Sequence, residues 1–223
     1  MSGEVRFGRP ECESLERPIR ASAQLLVEGR TPEIFFQEFV RALKLEGQVD
    51  VRTFGDISRQ SLSTWLELFS RKAAFRQSVR RIAFIRDAEA GPASEAYESV
   101  CGVVRSVLPV TPAPMGEFSG DPLSVGIFIL PDCSRPGMLE SLCLDAVSHD
   151  ESVLRCVSRL GECLGQGETF AKPKHRMAEY ILAKGVVEAQ LGRAAQKKLI
   201  PWDSPAFGPL RTFLSSLASS LTP

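Results

Sequence analysis

Three apolar stretches, each followed by an amphipathic helical pattern, constrain the fold of this chain more than any other feature. The stretches are 22–28 (SAQLLVE), 80–91 (RRIAFIRDAEAG) and 124–137 (SVGIFILPDCSRPG). A further stretch, 48–55 (QVDVRTFG), alternates apolar and polar residues with a period of two and predicts one more strand. Strands that alternate with helices form a largely parallel sheet, because each helix returns the chain to the same end of the sheet. The sequence therefore predicts an α/β fold, a mostly parallel sheet flanked by helices.

The chain divides into three parts on this pattern. Residues 1–20 are polar, contain several glycines and prolines, and predict a flexible N-terminal arm. Residues 21–150 hold the strand–helix alternation and predict the α/β domain, with a small hairpin strand around Glu117 and Phe118. Residues 151–223 are helical in pattern and predict a C-terminal helical extension packed on the same domain.

Composition excludes several classes of protein. The chain has 27 basic and 27 acidic residues, so it has no strong overall field for holding nucleic acid. A local basic patch at 71–81 could still follow a phosphate backbone, although a solvated helix end explains it as well. Six scattered cysteines without Cys-x-x-Cys spacing argue against zinc and favour reduced thiols. With no secretory leader pattern and no apolar run of about 18–20 residues, we expect a cytoplasmic protein without a membrane partner.

Carboxylates follow all three apolar stretches. Glu28 ends the first, Asp87 and Glu89 end the second, and Asp132 ends the third, with Glu140 in the helix that comes next. Ligands of parallel sheets bind at the carboxyl ends of the strands. Carboxylates crowded at one edge repel each other unless a cation neutralises them, and hard oxygen ligands favour Mg²⁺ or Mn²⁺. The residues therefore predict a magnesium or manganese site.

Each acid taken alone also has a structural explanation, and the sequence leaves both open. Glu28 could stabilise a neighbouring helix N-terminus by about 0.3–1 kcal/mol. Asp87 could cap a helix, Asp132 could form an Asx turn, and Glu89 and Glu140 could be solvated surface charges. The coincidence of three acidic strand ends is what favours a site.

The segments that carry these acids resemble a known family. LLVEGRTPEIFF, IAFIRDAEA and VGIFILPDCSRPGMLESLCL resemble, in order and spacing, the signature of the toprim fold: a Glu-Gly after the first strand and an acid-x-acid after a later one. The chain looks like a stand-alone toprim-like family of largely unknown function, and it is similar to the toprim domain of the overcoming-lysogenization-defect (OLD) nucleases. The resemblance implies a toprim-like sheet and a metal-dependent activity on nucleic acid.

The resemblance also implies a role for each acid. Glu28 matches the toprim glutamate, which implies metal binding or general acid–base catalysis. Asp87 and Glu89 match the acid-x-acid pair of metal ligands. Asp132 and Glu140 match the third acidic segment and are expected to bind the same Mg²⁺ or Mn²⁺.

Positive side chains are expected beside such a site, because they stabilise the charge that develops on a phosphoryl group. Lys174 is the expected catalytic cation. Lys172 and Arg176, which surround it at the start of a C-terminal helix, and Arg30, one residue past Gly29, are expected to bind phosphate. Each of the four is also explained as an ordinary surface charge.

The leading hypothesis is phosphodiester hydrolysis or transfer on DNA or RNA, in DNA repair or defence against phage. The second is a non-catalytic module that uses a degenerate site to hold a metal-nucleotide or a protein partner. Pro32 favours the second, because family members often carry an acid at that position, and the acid pair is Asp-Ala-Glu rather than Asp-x-Asp. A response-regulator pocket fits less well, because a single Glu precedes the acid pair. A homodimer and a separately encoded partner ATPase complete the expected partners.

Overall fold

The computed structural model of the protein describes residues 14–54 and 61–219. The strands in these ranges are β1 (Ala23–Glu28), β2 (Val49–Phe54), β3 (Arg81–Asp87), β4 (Phe118–Ser119) and β5 (Ser124–Leu130). They form one sheet in the order β2-β1-β3-β5-β4. Strand β1 pairs in parallel with β2 and β3, β3 pairs in parallel with β5, and the short β4 is antiparallel to β5. The predicted α/β fold with a mostly parallel sheet is confirmed.

Helices cover the sheet, in the order that the sequence predicts. They are α1 (Arg30–Ala42), α2 (Leu62–Ser70), α3 (Ala73–Ser78), α4 (Ala93–Val107), α5 (Leu139–Ala146), α6 (Glu151–Cys163), α7 (Gly167–Ala171), α8 (Pro173–Ala183), α9 (Leu191–Gln196) and α10 (Gly208–Ala218). A short 3-10 turn, Pro205–Phe207, leads into α10. Among the described helices, none is long and apolar enough to cross a membrane.

Side chains of each strand alternate between two apolar layers. In β1, Leu25 and Val27 pack in the layer that contains α1, α5 and α8 to α10, whereas Leu26 packs in the layer of α2, α3 and α4. In β3, Ile85 packs in the first of these layers and Phe84 in the second. Burying one such side chain contributes about 1.5–3 kcal/mol. Both faces of the sheet are therefore covered, as a parallel sheet requires.

A buried arginine on the edge strand β2 holds the segment that precedes β1. Arg52 Nη1 donates to the carbonyl oxygens of Ser14 at 2.7 Å and Arg17 at 3.0 Å. Its Nη2 donates to the Pro18 carbonyl at 2.7 Å and to Asp50 Oδ2 at 2.6 Å. Most of the predicted N-terminal arm lies outside the described residues, and its described part is bound to the sheet edge through these contacts.

The C-terminal helices form a cover over the carboxyl ends of the strands. We call residues 173–196, which comprise α8, the connection 184–190 and α9, the arch. Helix α8 contacts α5, and α9 packs along α1. The second contact is close: a Cβ added to Gly192 would lie 3.0 Å from the side chain of Ile34 and 3.2 Å from the carbonyl oxygen of Thr31. The arch therefore bridges the two sides of the sheet edge at which the predicted site lies.

Candidate functional site

A cavity of about 960 Å³ lies under the arch, at the carboxyl ends of β1, β3 and β5. Strand ends form its floor, the first turns of α1 and α5 form its sides, and the arch forms its roof. Among the residues that line it are four of the predicted acids and the predicted catalytic cation: Glu28, Asp87, Glu89, Glu140 and Lys174. The fold thus brings together charged groups from four separate segments of the chain.

Glu28 is the last residue of β1 and lies at the exposed mouth of the cavity. The chain turns directly after it at Gly29, whose φ of 89° favours glycine. The Glu28 carboxylate Oε2 lies 3.7 Å from Nε of Arg86, on the neighbouring strand β3. Both side chains are partly exposed, so this ion pair contributes at most about 1 kcal/mol. The acid at the end of the first strand therefore has a partner that leaves it accessible.

Asp87, at the end of β3, is a buried carboxyl with a strongly shifted pKa. Its Oδ1 accepts a hydrogen bond of 2.9 Å from the backbone N–H of Leu139, at the N-terminus of α5. Burial raises the pKa of Asp87 from 3.8 to about 7; the charges of Glu140, Glu89 and Glu28 also raise it, and the Leu139 hydrogen bond lowers it. The Asp87 carboxyl therefore keeps its proton to a much higher pH than an exposed aspartate does.

Glu140 lies one residue into α5, opposite the first turn of α8. Burial raises the pKa of Glu140, the nearby cation of Lys174 lowers it, and the charge of Glu89 raises it. A carboxylate in the first turn of a helix is also stabilised by the helix dipole. Lys174 thus provides positive charge above the acidic wall of the cavity.

Glu89 is positioned by a bridge between two loops. Its backbone N–H donates to the Gly137 carbonyl, and the Gly137 N–H donates to the Glu89 carbonyl, both at 2.8 Å. Glu89 has a left-handed backbone with φ of 58°, which is uncommon for a residue with a side chain. The bridge ties the loop after β3 to the loop after β5, so it determines where the second acid of the Asp-Ala-Glu pair lies.

Four predicted site residues, all within the described part of the chain, do not line the cavity: Arg30, Asp132, Lys172 and Arg176. Asp132 Oδ1 accepts hydrogen bonds from the backbone N–H of Ser134 at 3.0 Å and of Arg135 at 3.2 Å. Asp132 Oδ2 also pairs with Arg135 Nε at 2.8 Å. These contacts form the Asx turn that the residue pattern also predicted for Asp132. Arg30 Nη1 pairs with the buried Glu33 at 2.6 Å.

The cavity also contains polar residues that the sequence analysis did not select for function: Thr31, Arg86, His175 and Gln190. The sequence does indicate Arg86. It is a charged residue at the end of an apolar strand, directly before Asp87, so it lies at the same edge of the sheet. His175 follows Lys174 in the first turn of α8, and both side chains line the cavity. Nothing in the sequence around Gln190 indicates that it lines the cavity, since it lies in a connection whose course depends on how α9 packs.

The chain matches one known family over nearly all of the described structure. Residues 22–219 match the family described as "Protein of unknown function (DUF3226)". This protein belongs to the DUF3226 family. No match was found among curated proteins or among solved structures. The family range begins just before β1 and ends just after α10, so it includes the sheet, the cavity and the arch.

The donors in the cavity suit a hard divalent cation but do not form a complete protein cage. Across residues 14–54 and 61–219, no three His, Cys, Asp or Glu side chains are grouped so that they could hold a metal ion. Mg²⁺ is commonly held by one or two carboxylates, with water and phosphate oxygens as its other ligands. Asp87 and Glu140, the two partly buried acids whose charges interact, fit that smaller ligand set.

Proposed function

We propose that this protein is a metal-dependent phosphodiesterase that acts on nucleic acid, and that the cavity under the arch is its active site. One observation carries the proposal: four carboxylates from three separate segments line a single cavity together with Arg86 and Lys174. The charges of Glu140, Glu89 and Glu28 all act on Asp87, so a bound cation would relieve their repulsion, and the two basic side chains suit a phosphate group. The resemblance of the three acidic segments to the toprim signature supports the same activity.

Each side chain has a separate role in the proposed reaction. Asp87 and Glu140 would hold Mg²⁺ or Mn²⁺, which when bound acts as a Lewis acid and lowers the pKa of water. Lys174 places a positive charge where negative charge develops on the phosphate oxygens. Glu28 is exposed at the mouth and would accept a proton from the attacking water, while Arg86 orients its carboxylate.

A non-catalytic module that holds a metal-nucleotide is the second candidate. One observation favours it: Pro32 lines the cavity, so the position at which toprim proteins often carry an acid provides no carboxylate here. The expected homodimer and the separately encoded ATPase stay predictions.

The proposal is tested by measuring metal binding and hydrolysis on the same samples. Mn²⁺ and Mg²⁺ binding is measured by isothermal titration calorimetry, and turnover is measured with bis(4-nitrophenyl) phosphate, a small phosphodiester. The variant is Glu140→Gln. Its matched control is Glu95→Gln, because Glu95 also lies in the first turn of a helix that follows a strand, but does not line the cavity.

Wild type and Glu95→Gln are expected to bind the cation and hydrolyse the diester, and Glu140→Gln is expected to lose both. Binding without hydrolysis in wild type would favour the nucleotide-holding module. If wild type binds neither ion at millimolar concentration, both candidates are wrong and the acids are structural.

A further inference from the structure

The arch makes the cavity a closed pocket on the side of α1. Helix α9 lies so close to α1 that an added Cβ at Gly192 would approach the Ile34 side chain to 3.0 Å. Two helices packed so closely that a single added methyl group would not fit leave no space between them for a nucleic-acid backbone. A nucleic-acid strand that enters the cavity therefore cannot leave it between α9 and α1.

The other end of the arch, helix α8, is also bound to the rest of the domain. Asp150, at the start of α6, accepts hydrogen bonds from Lys184 Nζ at 3.0 Å and from the Tyr180 hydroxyl at 3.3 Å. Beneath these contacts, Met177 and Ile181 are fully buried in the core of the domain. The arch is thus a packed part of the structure at both ends.

The lining residues differ in exposure between the mouth of the pocket and its interior. The exposed members of the lining are charged or polar and mark the mouth: Glu28, Glu89, Lys174, His175 and Gln190. The apolar members that keep some accessible surface are less exposed than the charged ones and lie deeper: Pro32, Met138, Ala178 and Ala189. Fully buried side chains such as Phe36 and Met177 support them from behind. A ligand that fits this lining has a phosphate at one end and an apolar face at the other.

The size and charge of the pocket restrict the ligand further. Its volume of about 960 Å³ lies within the range of about 300–1,000 Å³ that is usual for pockets enclosing small molecules. A DNA duplex, whose major groove alone is about 12 Å wide, does not enter such a pocket. Among the described lining residues, Lys and Arg are represented by Arg86 and Lys174, enough for one or two phosphates. Tracking a backbone takes several such contacts.

We infer, on the basis of the proposed function, that the pocket takes the terminal nucleotide of a single nucleic-acid strand. The base occupies the apolar inner end and the scissile phosphate lies at the acidic mouth. Water adds its oxygen to phosphorus, the bond from phosphorus to the leaving sugar oxygen breaks, and the proton lost by water ends on that oxygen. The products are a nucleoside monophosphate and a strand shorter by one nucleotide. A free nucleoside monophosphate has the same chemistry and competes for the pocket.

The test compares a linear single-stranded DNA with the ligated circle of the same sequence, with Mn²⁺ present. The linear strand is expected to shorten stepwise. The circle is expected to be cut at least about tenfold more slowly, since a strand without an end loses the contacts that hold the terminal nucleotide in the pocket, and a loss of about 1.4 kcal/mol is that factor. Deoxynucleoside monophosphate is expected to inhibit shortening of the linear strand. Cleavage of the circle at the rate of the linear strand overturns the inference, and inhibition by the monophosphate with no shortening of the strand assigns the pocket to free nucleotides instead.

Bis(4-nitrophenyl) phosphate separates the two proposals, because it has no strand end. If it is hydrolysed while circle and linear strand are cut equally, the proposed function stands and the strand-end inference falls. If no diester is hydrolysed, the proposed function falls. Binding then decides the inference: internally labelled linear strand and circle are compared by fluorescence anisotropy, and equal affinity overturns it.

Discussion

In buffer that contains a metal chelator, replacing Asp87 with asparagine is expected to stabilise the protein at alkaline pH and to change its stability little near pH 3, below both pKa values of this carboxyl. Burial and the neighbouring carboxylates Glu140, Glu89 and Glu28 raise the pKa of Asp87 from 3.8 to about 7. Asparagine retains an oxygen that can accept the hydrogen bond from Leu139, but it carries no charge at any pH. The substitution therefore removes the cost of ionising a buried carboxyl and little else.

The sign and size of the effect follow from proton binding. The folded protein keeps the Asp87 proton up to a pKa of about 7, whereas the unfolded chain loses it above 3.8. Between these values the folded state binds more protons, so the free energy of unfolding falls as pH rises. From about pH 5 to about pH 8 this one group lowers it by about 3 kcal/mol. That is a large part of the roughly 5–15 kcal/mol of a typical domain.

Urea unfolding of wild type and Asp87→Asn across this pH range measures the effect. Asp132→Asn is the control: although burial opposes them, hydrogen bonds from Ser134 and Arg135 lower the pKa of Asp132. Its contribution to stability is present above its unfolded pKa and is lost only at lower pH, so its profile should parallel wild type above pH 5. The reasoning is refuted if the wild-type and Asp87→Asn profiles are parallel as well.

Two substitutions and one thiol titration test the packing. Arg52→Ala is expected to lower the free energy of unfolding by about 3–5 kcal/mol, because the acceptors around its buried guanidinium lose their donor; a loss below about 1 kcal/mol in urea denaturation contradicts this. Gly192→Ala is expected to cost about 1–3 kcal/mol, because the new Cβ would lie 3.0 Å from the Ile34 side chain; an unchanged Tm would mean that α9 shifts freely. In a thiol titration, the exposed Cys156 should react in the native protein and Cys143 only after unfolding, because burial raises the pKa of the Cys143 thiol well above its ordinary value; equal rates would contradict this.

The sequence could predict the strands and the acids at their ends because both depend on local pattern. An apolar run that stops at a charged residue marks a buried strand and the point where it reaches the surface. Glu28 and Asp87 were found in this way, and the pairing of β1 with β3 brings both into one cavity. Glu140 was found from its position in the helix after β5. For these residues, chain order and the parallel sheet were sufficient.

The same pattern did not decide which acids line the cavity. Asp132 also follows an apolar strand, but the chain turns back on it, and hydrogen bonds from Ser134 and Arg135 occupy its carboxylate. Whether an acid caps its own turn or extends into a cavity depends on backbone angles that residue types leave open. Arg30 is likewise held by Glu33 rather than by the cavity.

The rest of the site depends on contacts between distant segments. Arg86 becomes the partner of Glu28 because two strands pair, and Gln190 reaches the cavity because α9 packs against α1. The pKa of Asp87 depends on burial and on three charges from other segments. The sequence by itself determined the elements and the carboxylates available at one edge of the sheet. The tertiary structure decided which of them meet, how deeply they are buried and what covers them, because burial and charge interaction depend on distances through space.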